Sequence, residues 1–130
     1  MARRPALSES ELEVLKVLWD GGPSTVRKVV GVLEARGKRW AYTTVQTYLN
    51  RLRAKGHVAC ESGADASPAH VFRADSTRDD LLRDGLQDLA DQLCEGAPSP
   101  LVLTLVEGNR FSAEEIARFR TLLNRHQGKR

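Results

Sequence analysis

Trp40-Ala-Tyr-Thr-Thr-Val-Gln-Thr-Tyr-Leu-Asn-Arg-Leu-Arg-Ala-Lys-Gly56 is the stretch of this 130-residue chain whose reading decides the fold. Val45, Tyr48, Leu49 and Leu52 fall at i, i+3, i+4 and i+7, one apolar stripe of a helix starting near Thr43, and Gly56 supplies a left-handed stop. Turning that stripe inward turns Thr43, Thr44, Gln46, Thr47, Asn50 and Arg51 outward. An ordinary surface helix mixes Glu with Lys, whereas no acid occurs from Tyr42 to Lys55. Short hydrogen-bonding groups without carboxylates suit a helix lying in a DNA major groove. Threonine can donate to a base acceptor and pack its methyl on that of thymine, and an arginine can reach a phosphate or a guanine edge.

Working outward, Ser8-Glu-Ser-Glu11 is a capping box that opens a helix carrying Leu12, Leu15, Leu18 and Trp19, ended by Gly21-Gly22-Pro23. Ser24 or Thr25 caps a second helix with the stripe Val26, Val29, Val30, Leu33, and Gly37 breaks it. After the third helix, His57–Glu61 and Ala69–Arg73 read as short strands joined by a Gly/Asp/Ser/Pro loop over Ser62–Pro68. Three helices and a hairpin within 75 residues outline a winged helix-turn-helix.

Ser76 or Thr77 starts a fourth helix with Leu82, Leu86, Leu89 and Leu93 on one seam. Gly96–Pro100 interrupts, Leu101–Val106 is a compact apolar run, and Ser112-Ala-Glu-Glu115 is a second capping box before Ile116, Phe119, Leu122 and Leu123. Three short helices cannot bury such seams alone, so residues 76–130 read as a dimerisation domain using Leu82, Leu86, Leu89, Leu93, Leu101, Leu105, Ile116, Phe119 and Leu123. The expected fold is therefore mainly α with a small β-hairpin. An N-terminal winged helix-turn-helix (1–75) is followed by a C-terminal three-helix dimerisation domain (76–130).

Charge agrees with this division. Residues 1–75 hold 12 Lys/Arg against 8 Asp/Glu, and residues 76–130 hold 8 against 9, for a net +3 overall. Arg36–Lys55 contains six basic residues and no acid, a local excess suited to a polyanion, since each neutralised phosphate releases condensed counterions. No run approaches the length of a membrane span, and Met-Ala-Arg-Arg-Pro has no apolar stretch behind it, so neither membrane insertion nor a secretory signal is expected. Cys60 and Cys94 suggest no disulfide framework, which fits a reducing cytoplasm.

Leu7–Trp19, Thr25–Val29, Trp40–Leu52 and Lys55-Gly56 resemble the BlaI/MecI/CopY repressors over nearly the whole chain. The resemblance implies a homodimeric winged-helix repressor of an antibiotic-resistance, metal-resistance or related operon, with a pseudo-palindromic double-stranded DNA operator as its partner. It assigns base contacts to Thr43, Thr44 and Thr47 and phosphate contacts to Gln46 and Arg51. Arg39, Tyr42 and Asn50 complete the expected interface, with His70 and Arg73 as wing contacts. In the β-lactam branch a membrane sensor metalloprotease system relieves repression by cutting an Asn-Phe bond in the dimerisation domain. Thr104-Leu105 stands at that place here, so the cleavage region is kept while the bond is changed. The copper-responsive branch uses a C-terminal cysteine cluster, and Asn124–Arg130 contains no cysteine.

Other functions find less support. His57, Cys60 and His70 are too few and too badly spaced for a metal site. With no Gly-rich phosphate loop, HExxH or GxSxG, the chain is expected to be neither an enzyme nor a cofactor binder. Two alternatives stay open from these residues: a winged-helix adaptor for another protein, which should expose apolar anchors on the third helix, and a regulator responsive to a small molecule or to redox state.

Overall fold

The computed structural model describes residues 5–62 and 70–127. Of the expected loop Ser62–Pro68, Ser62 belongs to β1 and the rest lies outside the described residues, as do Ala69 of the expected second strand, the first four residues and the last three. The elements run α1 (Glu9–Gly21), α2 (Val26–Ala35), α3 (Tyr42–Ala54), β1 (Val58–Ser62), β2 (His70–Ala74), α4 (Arg78–Leu93), α5 (Ser99–Gly108) and α6 (Ala113–Gln127). They form two compact units, Met1–Gly85 and Leu86–Arg130, so the boundary falls inside α4. No helix among the described residues is long and apolar enough to cross a membrane.

Local signals set the helix ends of the first unit. Ser8 and Glu11 form the reciprocal capping box of α1: Glu11 N–H donates to Ser8 Oγ at 3.1 Å, and Ser8 N–H to Glu11 Oε1 at 2.9 Å. Thr25 is the residue that caps α2, accepting from Lys28 N–H. Helix α3 closes in a Schellman motif, with Gly56 N–H donating to Arg53 and His57 N–H to Leu52. Its turn needs a left-handed residue, and Gly56 provides it at φ 83°.

The core of this unit joins Val14, Leu15, Val17 and Leu18 of α1, Val26, Val29 and Leu33 of α2, and Val45, Leu49 and Leu52 of α3, closed by Val58 and Phe72 of the hairpin. The strands pair antiparallel with Cys60 opposite Phe72. Period-two alternation turns Val58, Cys60, Phe72 and Ala74 toward the helices. Ser24 adds a third strand-like rung, giving and receiving backbone hydrogen bonds with Phe72 at 2.9 and 2.8 Å. The expected strand His57–Glu61 starts one residue later. His57 lies in the turn before it, buried, with Nδ1 2.8 Å from Ser76 Oγ and Nε2 3.3 Å from the Pro5 carbonyl. Since a carbonyl can only accept, Nε2 donates to Pro5, and in the neutral ring Nδ1 accepts from Ser76.

Ser76 is thus a buried partner of His57, and Thr77 caps α4 through reciprocal bonds with Asp80. The start of α4 is fixed to α1 by Trp19 Nε1–H, which donates to the Ser76 carbonyl at 2.7 Å, by Arg78 stacked 5.4 Å from the Trp19 ring, and by Leu81 on the core.

In the second unit the capping box at Ser112 and Glu115 opens α6, and Phe111 meets Phe119 edge to face at 5.1 Å. Ala90 is its buried apolar residue among the described ones. Leu86, Leu89, Leu93, Val102, Leu103, Leu105, Val106, Ile116, Phe119, Leu122 and Leu123 are all exposed.

One buried charge fastens the start of α1 to the end of α3. Glu11 Oε1 accepts from Lys55 Nζ at 2.7 Å, and Lys55 also donates to the Ala6 carbonyl at 3.0 Å. Burial pushes the Glu11 carboxyl up, but the bonds from Lys55 and Ser8 outweigh it and hold it below its ordinary value. A lowered folded-state pKa means the pair stabilises the fold above the unfolded carboxylate range, and that the contribution fades as pH falls through the folded value. Lys55→Met should therefore cost about 1–3 kcal/mol at pH 7: Glu11 Oε1 keeps its bond from Ser8 N–H, but the buried carboxylate loses its cation and the charge-assisted bond. The deficit should shrink as pH drops below the ordinary carboxyl value of 4.5. Urea unfolding followed by Trp19 and Trp40 fluorescence at both pH values checks this.

Candidate nucleic-acid interface

Full burial of Val45, Leu49 and Leu52 fixes the rotation of α3 about its axis, and with it the outward face. Thr43, Gln46, Thr47, Asn50 and Arg51 are exposed, Thr44 is half-buried, and Tyr42 at the first turn is 47% exposed. Arg39 is exposed in the segment leading into the helix. The structure thus brings these residues together on one helix and its approach.

Two local details shape what the face can do. The N-cap position of α3 is Ala41, which offers no side chain to the first-turn amides. The positive end of the helix dipole therefore stands beside Arg39 without an internal acceptor from the cap. Thr47 donates its hydroxyl proton to the Thr43 carbonyl at 2.9 Å. In this rotamer the side chain presents its methyl and an acceptor lone pair rather than a donor.

The basic residues are held unequally. Arg36 pairs with Asp20 at 2.9 Å, and Lys55 is committed to Glu11. On the hairpin His70 is exposed opposite Ser62, while Arg73 hydrogen-bonds Glu61 at 2.8 Å and Asp75 at 3.2 Å. The Glu61 hydrogen bond and the Asp75 charge raise the Arg73 pKa further. A phosphate would have to compete with two carboxylates there. Asp75 follows Arg73 by two residues, and Glu61 reaches it diagonally from β1, where it stands opposite Val71; sequence positions alone do not show that the two converge on Arg73.

Leu82, Leu86, Leu89 and Leu93 are exposed along one seam of α4, Leu82 in the first unit and the other three in the second. Leu105 of α5 and Ile116, Phe119 and Leu123 of α6 are also exposed, and Leu101 is half-covered. Thr104 and Leu105 lie inside α5, in helical backbone. Among the described residues no three His, Cys, Asp or Glu gather as metal ligands. Of His57, Cys60 and His70, His57 uses both ring nitrogens in hydrogen bonds.

Comparison with known proteins gives this geometry its context. Residues 7–125 match the family model described as penicillinase repressor. The chain is 25% identical to the penicillinase repressor of Bacillus licheniformis over 130 residues, all of this chain and 98% of the relative. It is 23% identical over 119 residues to the methicillin resistance regulatory protein MecI of Staphylococcus aureus (strain N315), covering 92% of this chain and 94% of that protein. Among solved structures, the monomeric form of Bacillus licheniformis BlaI in complex with the blaP half-operator matches with a TM-score of 0.50 and 29% identity, covering 62% of this chain and 93% of that one. The family consists of transcriptional repressors, which are DNA-binding regulators and not enzymes. With its helix-turn-helix, its two-stranded wing and a family match over nearly its full length, the chain belongs to the penicillinase repressor family of winged-helix transcriptional repressors.

Proposed function

We propose that two copies of this chain, joined through their second units, grip a pseudo-palindromic operator with one α3 in each of two successive major grooves. The observation that carries this reading is the exposed face of α3: Thr43, Gln46, Thr47, Asn50 and Arg51 over a fully buried stripe, with no carboxylate from Tyr42 to Lys55. The half-operator bound to the Bacillus licheniformis protein supports DNA as the ligand. An adaptor for another protein would need apolar anchors on that face, and Tyr42 is the large apolar side chain exposed there.

Dimerisation is argued from area. Eleven large apolar side chains lie exposed in the second unit, whose buried apolar residue among the described ones is Ala90. A surface of that size on a stable chain marks an association site, and a second copy supplies a matching set of apolar faces. Each reading head alone binds weakly, and tethering raises the effective concentration of the second once the first is bound. Loosening the second unit therefore releases DNA without touching α3. A cut near Thr104-Leu105, made through a membrane sensor metalloprotease, is the proposed route. Because that bond lies in α5, the helix must first unwind to enter an extended protease cleft. A helix of only ten residues with no fully buried side chain unwinds at modest cost.

The Thr47 hydroxyl is engaged within the helix, so its methyl is assigned the base-reading role, against a thymine methyl. Thr47→Val keeps that methyl and should bind a selected operator about as tightly as the native chain. Thr47→Ser removes it and should lose about 0.8 kcal/mol, roughly fourfold in Kd. Fluorescence anisotropy with operator and scrambled duplexes decides, and a larger loss for Thr47→Val would assign the reading to the hydroxyl. For the second unit, a chain ending at Thr104 should sediment as a monomer and bind the full operator at least about 100-fold more weakly. Undiminished affinity in that fragment would break the link between dimerisation and repression.

A further inference from the structure

Alternating cations and rings line the approach to α3 and one flank of the helix. Lys38 Nζ stands 5.7 Å from the centre of the Trp40 ring, Trp40 meets Tyr48 edge to face at 5.4 Å and 64°, and Arg51 Cζ lies 6.0 Å from the centre of Tyr48. Both rings are half-buried and packed against the core, and Arg51 is exposed. None of these four residues has a carboxylate partner among the described residues, unlike Arg36, Lys55 and Arg73. Lys38 and Arg51 differ from Arg39 and Arg53, which also lack a carboxylate among the described residues, in standing over ring faces.

We propose that Trp40 and Tyr48 are positioning residues for DNA binding, holding Lys38 and Arg51 at the two ends of one ladder so that each meets a backbone phosphate with its rotamers already restricted. The inference rests on reading α3 as the DNA-binding helix. A ring face attracts a cation without neutralising it, so the full charge remains available to a phosphate, whereas a carboxylate would cancel it. Long basic side chains lose rotamer freedom when they bind, and resting over a ring removes part of that loss in advance. The rings keep their own place because their bodies are packed on the core behind α3. The ladder runs from the segment before α3 through the half-buried Trp40 and Tyr48 to Arg51 on the outward face.

The full chain is titrated with its selected operator over a salt series, comparing native, Tyr48→Leu, Tyr48→Phe, Arg51→Gln and the Tyr48→Leu/Arg51→Gln double variant. Tyr48→Leu should weaken binding about two- to fivefold. Tyr48→Phe, which keeps the ring face, should restore native affinity. The salt slope should stay native in both, because Arg51 still neutralises its phosphate once bound, and should fall only with Arg51→Gln. In the double variant Tyr48→Leu should add nothing. Native affinity for Tyr48→Leu, or a loss that persists in full beside Arg51→Gln, overturns the ladder while leaving α3 as the reading helix. An Arg51→Gln variant with native affinity and native slope removes Arg51 from the interface and overturns the ladder together with that part of the reading beneath it. Trp40→Leu, Trp40→Phe and Lys38→Gln make the same comparison at the other end, with the same two deciding outcomes, and do not depend on Tyr48→Leu folding.

Discussion

Burial of Val45, Leu49 and Leu52 between α1, α2 and the hairpin is the constraint on which the rest of the molecule depends. Successive residues of a helix differ by about 100° around its axis, so sliding the stripe by one position would expose all three side chains. At about 1.5–3 kcal/mol for each fully buried side chain, that rotation is closed to the folded protein. The polar face is therefore held in place from behind, by a core that contains none of the residues it positions. Thr43, Thr47 and Asn50 are exposed and take no part in that core, so the proposed reading face is separate from what holds the fold. The ends of α3 are fixed separately, by the Schellman turn at Gly56 and by the Lys55–Glu11 bond that reaches back to the capping box of α1.

What sequence made legible follows from which forces are local. Capping boxes at Ser8 and Ser112, the apolar stripes of α2 and α3 and the glycine stop after α3 each involve residues within one or two turns, and each stands in the structure where the spacing placed it. The stripe expected for α1 is shifted: Leu15, Leu18 and Trp19 pack on the core, but Leu12 is half-buried outside it while Val14 and Val17 are buried, because α1 meets both other helices and the hairpin and so covers a wider face. Where spacing left two options, long-range partners chose between them. Ser24 bonds Phe72 across the fold and leaves the cap to Thr25, while Ser76 turns inward to His57 and leaves the cap to Thr77. His57 looked like the start of a strand because its neighbours are extended, and its burial against Pro5 and Ser76 has no local signature. The face of α3 was readable from periodicity alone. The internal bond of Thr47, the pairing of Arg73 with Glu61 and Asp75, and the ring ladder behind the helix were not, since each depends on side-chain directions that sequence spacing does not specify.

The two units divide the physical tasks unevenly. The first closes a core of its own, with twelve buried apolar side chains drawn from three helices and a hairpin. The second caps α6 through Ser112 and Glu115 and has its helices formed, yet leaves most of its leucines uncovered. Secondary structure in the second unit is set by local sequence. In the proposed dimer a second copy would cover its exposed leucines, and recognition would be separated from regulation. Affinity for a two-part operator would then depend on how firmly the second units hold together, and a change confined to α5 or α6 would be felt at the DNA through avidity, with no rearrangement of the reading head. The wing is restrained in a different manner, because Arg73 is held by Glu61 on the opposite strand and by Asp75 just beyond its own.

The most direct test of this account is selection of genomic DNA by the purified full-length protein at near-physiological salt, read by sequencing the bound fragments. The account predicts one recurring inverted repeat whose half-sites lie about one helical turn apart, or a whole multiple of it, so that two α3 helices reach the same face of the duplex. Retention of DNA without a recurring repeat, or no retention at all, would contradict the claim that α3 reads an operator as one of a pair.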